Sequence, residues 1–401
     1  MHGYVTRFLE QRLKQRLVQI PAISLLGPRQ CGKSTVARHL VSGLDNVVYF
    51  DLERPSDLNK LRDPEALFDL HQDKLICIDE IQRAPGLFPV MRHAIDARGR
   101  NGQFLVLGSA SPELLKQTSE TLAGRIGYEE LSPFAWPEIG APYGAKEMRT
   151  FWLRGGYPRS WLAKSETESF EWRLDFIRTF VERDVLQIKS RIPSARLESL
   201  WRMCGHVHGQ TLNQAKLAGA LGVDTHTVRS YIELMCGAFM MRALPAMHVN
   251  LKKRLIKASK LYVRDSGLLH ALLGVETHDD LLSHPCRGVS WEGLVIDNIL
   301  AFKRPGVRAS FYRTANGAEL DLILEKGIKR IGVECKASSA PHVERGFWNA
   351  LDDLKPSHVF IIAPIDTAYP IREYVTVTPL HEALQSEQMH EFLIGDCLNH
   401  R

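Results

Sequence analysis

Short apolar runs alternate with amphipathic stretches from about residue 20 to about residue 140. Ile23-Ser24-Leu25-Leu26, Leu75-Ile76-Cys77-Ile78 and Phe104-Leu105-Val106-Leu107 have the length and density of buried strands. Thr35-Val36-Ala37-Arg38-His39-Leu40 opens a helix pattern after the first of them. Strand and helix patterns in alternation predict βαβ units and a parallel sheet. After Pro137 the pattern changes. From about 148 to 210 it is helical and charged, and Phe170, Leu174, Ile177, Phe180 or Val181, and Val185 fall on one predicted helix face. Residues 211–250 hold two short helix patterns around a tight turn, and beyond about 288 strands and helices alternate again. The expected divisions are 1–140, 141–205, 206–262 and 263–401, an α/β architecture.

Length adds a soft prior of two or three domains over 401 residues, each able to bury a core. The longest apolar runs are strand-sized, so no membrane span is expected. The first residues carry no signal-peptide hydrophobic core. Seven cysteines stand singly, with no C-x-x-C pair, which argues against a disulfide framework or a structural zinc site and for a reducing, cytoplasmic setting. The net charge of +5 is modest, but Lys252, Lys253, Arg254, Lys257 and Lys260 form a basic stretch without an acid, suited to a polyanion backbone or to a solvated loop.

Gly27-Pro28-Arg29-Gln30-Cys31-Gly32-Lys33-Ser34 fits G-x-x-x-x-G-K-[ST], set between a strand pattern and a helix pattern. Such a loop, with Thr35 opening the helix, cradles phosphates on backbone N–H groups. Lys33 is expected to reach the β- and γ-phosphates and Ser34 to hold Mg²⁺. The run ending in Asp79-Glu80 has the form of a Walker B strand, with Asp79 on Mg²⁺ through water and Glu80 as general base. Ser109 ends the third strand, where it could lie beside the γ-phosphate; a helix cap near Ser111 is the structural alternative. These residues predict binding of ATP or GTP.

Residues 211–232 read as helix-turn-helix. Leu212, Leu217, Ala218 and Leu221 make an apolar face, Gly222 takes the turn, Asp224 caps the second helix, and Val228, Tyr231 and Ile232 pack back. Thr225, His226, Thr227, Arg229 and Ser230 are then left near the exposed start of a recognition helix, with Lys252, Lys253 and Arg254 where a wing would follow. DNA is the expected partner, with three-helix packing or a protein contact as alternatives. Farther on, residues 317–336 read as a hairpin turning at Glu325-Lys326-Gly327. Glu319, Asp321 and Ile323 share one face, and Glu334 and Lys336 share a face of the second strand. Two carboxylates and a lysine in this order suit Mg²⁺ and a hydrolytic water, and Glu292 on an upstream amphipathic helix could complete the cluster. The pattern resembles the PD-(D/E)xK nucleases, including decayed members that only bind.

Taken together the chain resembles a bacterial and archaeal family of AAA-type P-loop ATPases with a nuclease-like C-terminal domain. The resemblance rests on the P-loop, Asp79–Phe88, Leu122-Ala123-Gly124-Arg125, Gly155-Gly156-Tyr157-Pro158, Glu182-Arg183-Asp184, Asp265-Ser266-Gly267-Leu268, Trp291-Glu292-Gly293, Gly317–Asp321 and Glu334-Cys335-Lys336. It implies a P-loop core at 1–140, a helical lid at 141–205, a winged helix at 206–262 and a restriction-endonuclease-like domain at 263–401. It favours ATP over GTP. It also implies an arginine acting on a neighbouring subunit's γ-phosphate, with Arg125 the first candidate and Arg178 or Arg183 as second sensors, and therefore a homo-oligomer such as a ring. Three functions fit: a motor remodelling or translocating on duplex or branched DNA, a slow nucleotide-gated switch binding DNA or a partner, or an ATP-dependent nuclease of repair or defence.

Overall fold

The computed structural model describes residues 3–109, 118, 120–139, 144–184, 192–247 and 257–394. Residues 3–133 and 237–239 form one compact unit, and residues 134–236 and 240 onward form a second.

In the first unit, strands β1 (Ala22–Gly27), β2 (Val47–Asp51), β3 (Leu75–Asp79), β4 (Phe104–Ser109) and β5 (Ile126–Glu130) make a parallel sheet in the order β2-β3-β4-β1-β5. Alternate strand residues pack into two cores, one on each face of the sheet. Ala22, Leu26, Ile76, Ile78, Phe104 and Val106 pack with Phe88, Met91 and Ile95 on one face. Ile23, Leu25, Cys77, Leu105 and Leu107 pack with Leu13, Val36, Ala37 and Leu40 on the other. Burial on both faces is why these strands read as continuous apolar runs. Each fully buried aliphatic side chain contributes about 1.5–3 kcal/mol. Because all five strands run the same way, their carboxyl ends share one edge, with Gly27 paired to Ser109 and Asp51 to Asp79.

The second unit begins with helices and contains two sheets. The helix Glu166–Thr179 continues as a π-turn over Phe180–Asp184. The expected face is kept in part: Ile177, Phe180 and Val181 are buried and Phe170 half-buried, but Leu174 is 36% exposed and Arg173 is fully buried in its stead, beside Ser169 and Phe176. Arg173 turns inward because backbone oxygens await it there, at Leu153 (3.0 Å), Gly267 (2.9 Å) and Ser169 (3.1 Å). Val185, on the same predicted face, lies outside the described residues. Two motifs distant in sequence meet beside this arginine. Asp265 caps the helix Ser266–Leu273 through the Leu268 N–H at 2.9 Å and accepts the Gly156 N–H at 2.7 Å. These hydrogen bonds put the segment expected to be an ATPase lid in the same compact unit as the C-terminal region.

The helix Ser194–His206 precedes β6 (Gln210–Thr211), the helix Gln214–Leu221 and the helix Thr225–Gly237; β7 (Met241–Leu244) and β8 (Lys260–Val263) follow. These strands form an antiparallel sheet in the order β6-β8-β7. Gly222 adopts the left-handed conformation (φ +67°), and Asp224 accepts the Thr227 N–H at 2.8 Å and hydroxyl at 2.7 Å. Val228, Tyr231 and Ile232 are buried as expected. Beyond lies a six-stranded sheet, β13-β14-β12-β11-β10-β9, made of β9 (Arg308–Arg313), β10 (Glu319–Lys326), β11 (Lys329–Cys335), β12 (His358–Ile362), β13 (Tyr369–Arg372) and β14 (Val375–Thr378). β9, β10 and β11 are antiparallel; β11, β12 and β14 are parallel. The hairpin turns at Gly327-Ile328, not at Glu325-Lys326-Gly327, because Lys326 is still paired with Lys329 and only Gly327 takes the positive φ.

A Cβ on Gly267 would stand 2.1 Å from the Arg154 carbonyl oxygen, a backbone atom unable to yield cheaply. Gly267→Ala is expected to destabilise the second unit by about 3 kcal/mol, read as a lower urea midpoint for that unit's transition.

Candidate nucleotide site and a buried acidic cluster

The loop after β1 has the shape that its glycines permit. Gly27 lies against the Leu131 carbonyl so closely that a Cβ would come within 2.2 Å of the oxygen, and Gly32 (φ +101°) opens the helix Lys33–Ser42. Gln30 is held at φ +60° without being glycine. Pro28 and Cys31 are buried, Arg29 and Ser34 half-buried, and Gln30 and Thr35 exposed. The Cys31 thiol donates to Leu131 O (3.4 Å), and the Arg7 guanidinium ties Cys31 O to Ser132 O and Pro133 O. Lys33 is 7% exposed, and its ammonium donates to Gly27 O (3.0 Å) and Pro28 O (2.8 Å) across its own loop. The first N–H groups of the helix have no intrahelical acceptor, which suits an anion.

β3 delivers the acids. Asp79 is buried; its Oδ2 accepts the Tyr49 hydroxyl at 2.6 Å and its Oδ1 the Glu80 N–H at 3.0 Å. Glu80 takes the left-handed conformation (φ +57°) and its carboxylate accepts from the Gln82 amide. Burial pushes the Glu80 carboxyl above the usual range, while the Lys33 ammonium pulls it down. Ser34 and Asp79 supply oxygen ligands alone, the set Mg²⁺ prefers. Ser109 meets this edge through its register pairing with Gly27. Tyr49 and Gln82 escaped the sequence reading; Tyr49 lies in an apolar run, where a hydroxyl in register with a neighbouring strand's carboxylate is visible only once the sheet order is known.

Arg125 is placed differently. It precedes β5, and its carbonyl accepts the Ala22 N–H at the opposite end of β1, roughly 17 Å from Gly27 at about 3.3 Å per residue. Its guanidinium forms a two-pronged pair with Asp96, at 2.6 and 2.9 Å. It is therefore not beside its own subunit's phosphate loop. Arg178 pairs with Glu182 at the surface.

Of the expected DNA-contacting residues, His226 and Arg229 are exposed and Ser230 half-buried; Arg229 pairs with Glu233 at 2.8 Å. Lys252, Lys253 and Arg254 lie outside the described residues. The basic stretch is not uniform: Lys257 is exposed, but Lys260 is 2% exposed and points into the second unit.

There it meets the residues read as a nuclease site. Glu292 lies on the helix Arg287–Ala301, whose neighbouring Trp291 donates its ring N–H to Ile362 O at 3.0 Å. The Lys260 ammonium lies 2.9 Å from Glu292, 3.0 Å from Glu319 and 3.2 Å from Asp321. Tyr262, two residues along β8, donates its hydroxyl to the same Glu292 oxygen at 2.5 Å. Asp321 also accepts the Cys335 N–H, and Lys336 pairs with Glu334 at 2.8 Å. The structure thus brings Glu292 and Asp321 together around an ammonium, with the Glu334–Lys336 pair close enough to Asp321 and Glu292 to feel their charge. Among the described residues no group of three or more His, Cys, Asp or Glu side chains is arranged to hold a metal ion. Burial, then the Asp321 charge, raises Glu292 to about 7 and Glu334 to about 8. Burial alone would lower Lys260, but Asp321, Glu292 and Glu319 outweigh it and hold the ammonium charged. Lys260 and Glu319 were not read as site residues, because a lysine in a basic stretch signals exposure.

Residues 19–140 match the family described as AAA domain, residues 145–279 a domain of unknown function, DUF8612, and residues 287–383 another, DUF4143. The chain is 39% identical over 383 residues to the uncharacterised protein Rv2008c of Mycobacterium tuberculosis, covering 95% of this chain and 85% of that one. The uncharacterised protein Mb2031c of Mycobacterium bovis is matched to the same extent. Among solved structures, the Walker-type ATPase PABY2304 of Pyrococcus abyssi aligns with a TM-score of 0.48 at 14% identity, over 67% of this chain and 96% of that one. No helix among the described residues is long and apolar enough to cross a membrane. With its P-loop edge and its near full-length mycobacterial relatives, the chain belongs to a family of AAA-type P-loop ATPases that carry two further domains of unknown function.

Proposed function

We propose that this chain hydrolyses ATP at the β1–β3 edge and engages DNA through its second unit. The observation that carries the first part is the convergence of Lys33, Ser34, Asp79 and Glu80 on one edge of a parallel sheet, each on a differently constrained backbone. Lys33 leaves its loop carbonyls to contact the β- and γ-phosphates. Ser34, and Asp79 through water, would hold Mg²⁺, which when bound neutralises charge on the phosphate oxygens. Tyr49 orients Asp79 through its hydroxyl. Glu80 takes the proton of the attacking water, and its raised pKa makes it the stronger base for that step. Arg125 can serve a phosphate only from a neighbouring copy, which requires an oligomer and release from Asp96.

The helices Gln214–Leu221 and Thr225–Gly237 with the β6-β8-β7 sheet support a winged-helix reading, with His226, Arg229 and Ser230 on the recognition helix and Lys252, Lys253 and Arg254 in the wing. A motor on duplex or branched DNA is the reading that uses both parts. ATP turnover measured without DNA and with duplex, single strand and a four-way junction tests it; a slow rate indifferent to all of them favours a nucleotide-gated switch.

Lys33→Ala is expected to abolish turnover, and normal hydrolysis by that variant would refute the ATPase assignment. Glu80→Gln should keep ATP binding while lowering kcat by about 10²–10⁴, read by single-turnover kinetics beside a nucleotide-binding titration. Replacing Lys252, Lys253 and Arg254 together by alanine should reduce the slope of log K against log salt for duplex DNA by about 3. An unchanged slope removes that stretch from the interface.

A further inference from the structure

A nuclease-like sheet implies a divalent cation between Glu292, Asp321 and Glu334, and the residues present do not fit one. The Lys260 ammonium donates to Glu292 at 2.9 Å and Asp321 at 3.2 Å and pairs with Glu319 at 3.0 Å, so three carboxylates surround it. A divalent cation bound to these oxygens would sit at about 2.0–2.6 Å from them, in the space the nitrogen fills. The lysine is not free to swing away. Lys260 opens the middle strand of its sheet, in register with Thr211 on one side and Leu244 on the other. Its side chain is 3% exposed. Tyr262 closes the same Glu292 oxygen, and the Cys335 N–H holds Asp321.

We infer that Lys260 is the resident cation of this cluster, so that the second unit joins its two sheets through an internal salt-bridged socket and is not a metal-dependent nuclease. The basic stretch is therefore divided in use. Its last lysine neutralises acids inside the protein, whereas Lys257 stays at the surface.

The test is Mn²⁺ binding to the full chain without nucleotide, followed by the electron paramagnetic resonance of free Mn²⁺ and by thermal unfolding. Wild-type protein should show no Mn²⁺ binding that depends on Asp321; any binding seen should survive Asp321→Asn and be lost in Asp79→Asn. Lys260→Met, which keeps the aliphatic stem, should gain an Asp321-dependent site and a Tm rise of about 4 °C at roughly ten times its Kd. Wild-type binding of Mn²⁺ abolished by Asp321→Asn overturns the inference, as does Mn²⁺-dependent nicking of plasmid DNA lost in the same variant. A folded Lys260→Met protein that binds no more Mn²⁺ than wild type overturns it too. Should Lys260→Met not fold, the wild-type measurements decide alone.

Discussion

A buried charge is tolerated only when its counter-charges and hydrogen-bond partners are built around it, and Lys260 imposes that requirement on the second unit. Its ammonium draws Glu292 from a helix and Glu319 and Asp321 from β10 to one point. Losing one member of such a buried set typically costs about 3–5 kcal/mol, because the others are left uncompensated. The same demand recurs at Arg173, whose fully buried guanidinium donates from Nε and Nη1 to three backbone oxygens while its Nη2 lacks a partner among the described residues. Burial lowers the Arg173 pKa to about 10, which still leaves it charged near neutrality.

The first unit is organised by a different constraint, the need for backbone to come close to phosphate. Gly27 is pressed against Leu131 O and Gly32 holds a positive φ, conformations that a side chain would obstruct. The parallel sheet places the loop, Asp79 and Ser109 on one edge because every strand ends there. This edge also carries strain: Gln30 and Glu80, two of the five non-glycine residues with positive φ among the described residues, lie there, at about 1–3 kcal/mol each. The surrounding core, buried on both faces of the sheet, offsets it.

The motifs that carried the family resemblance divide by what they do. The P-loop and Asp79-Glu80 are chemistry. Gly155-Gly156 and Asp265-Ser266-Gly267 are packing, since Asp265 bonds the Gly156 N–H while Gly267 lies against the Arg154 carbonyl. Glu292, Asp321, Glu334 and Lys336 have the spacing of a metal site and the surroundings of a salt-bridge network. A motif fixes which residues are available, and the neighbours they acquire decide their role.

By itself the sequence determined the parallel sheet, the phosphate loop, its acidic partners and the turn between the two short helices. Each is written locally: continuous apolar runs alternating with helix patterns, G-x-x-x-x-G-K-S, acids closing an apolar run, a glycine at a left-handed position. Tertiary structure alone decided that Arg173 faces in and Leu174 out, that Tyr49 holds Asp79, that Arg125 pairs with Asp96 at the far end of β1, and that Lys260 leaves its basic neighbours for three carboxylates. Spacing within a segment reports which face a residue occupies. It cannot report what that face meets, and for a charged side chain the partner it meets sets both its burial and its chemistry.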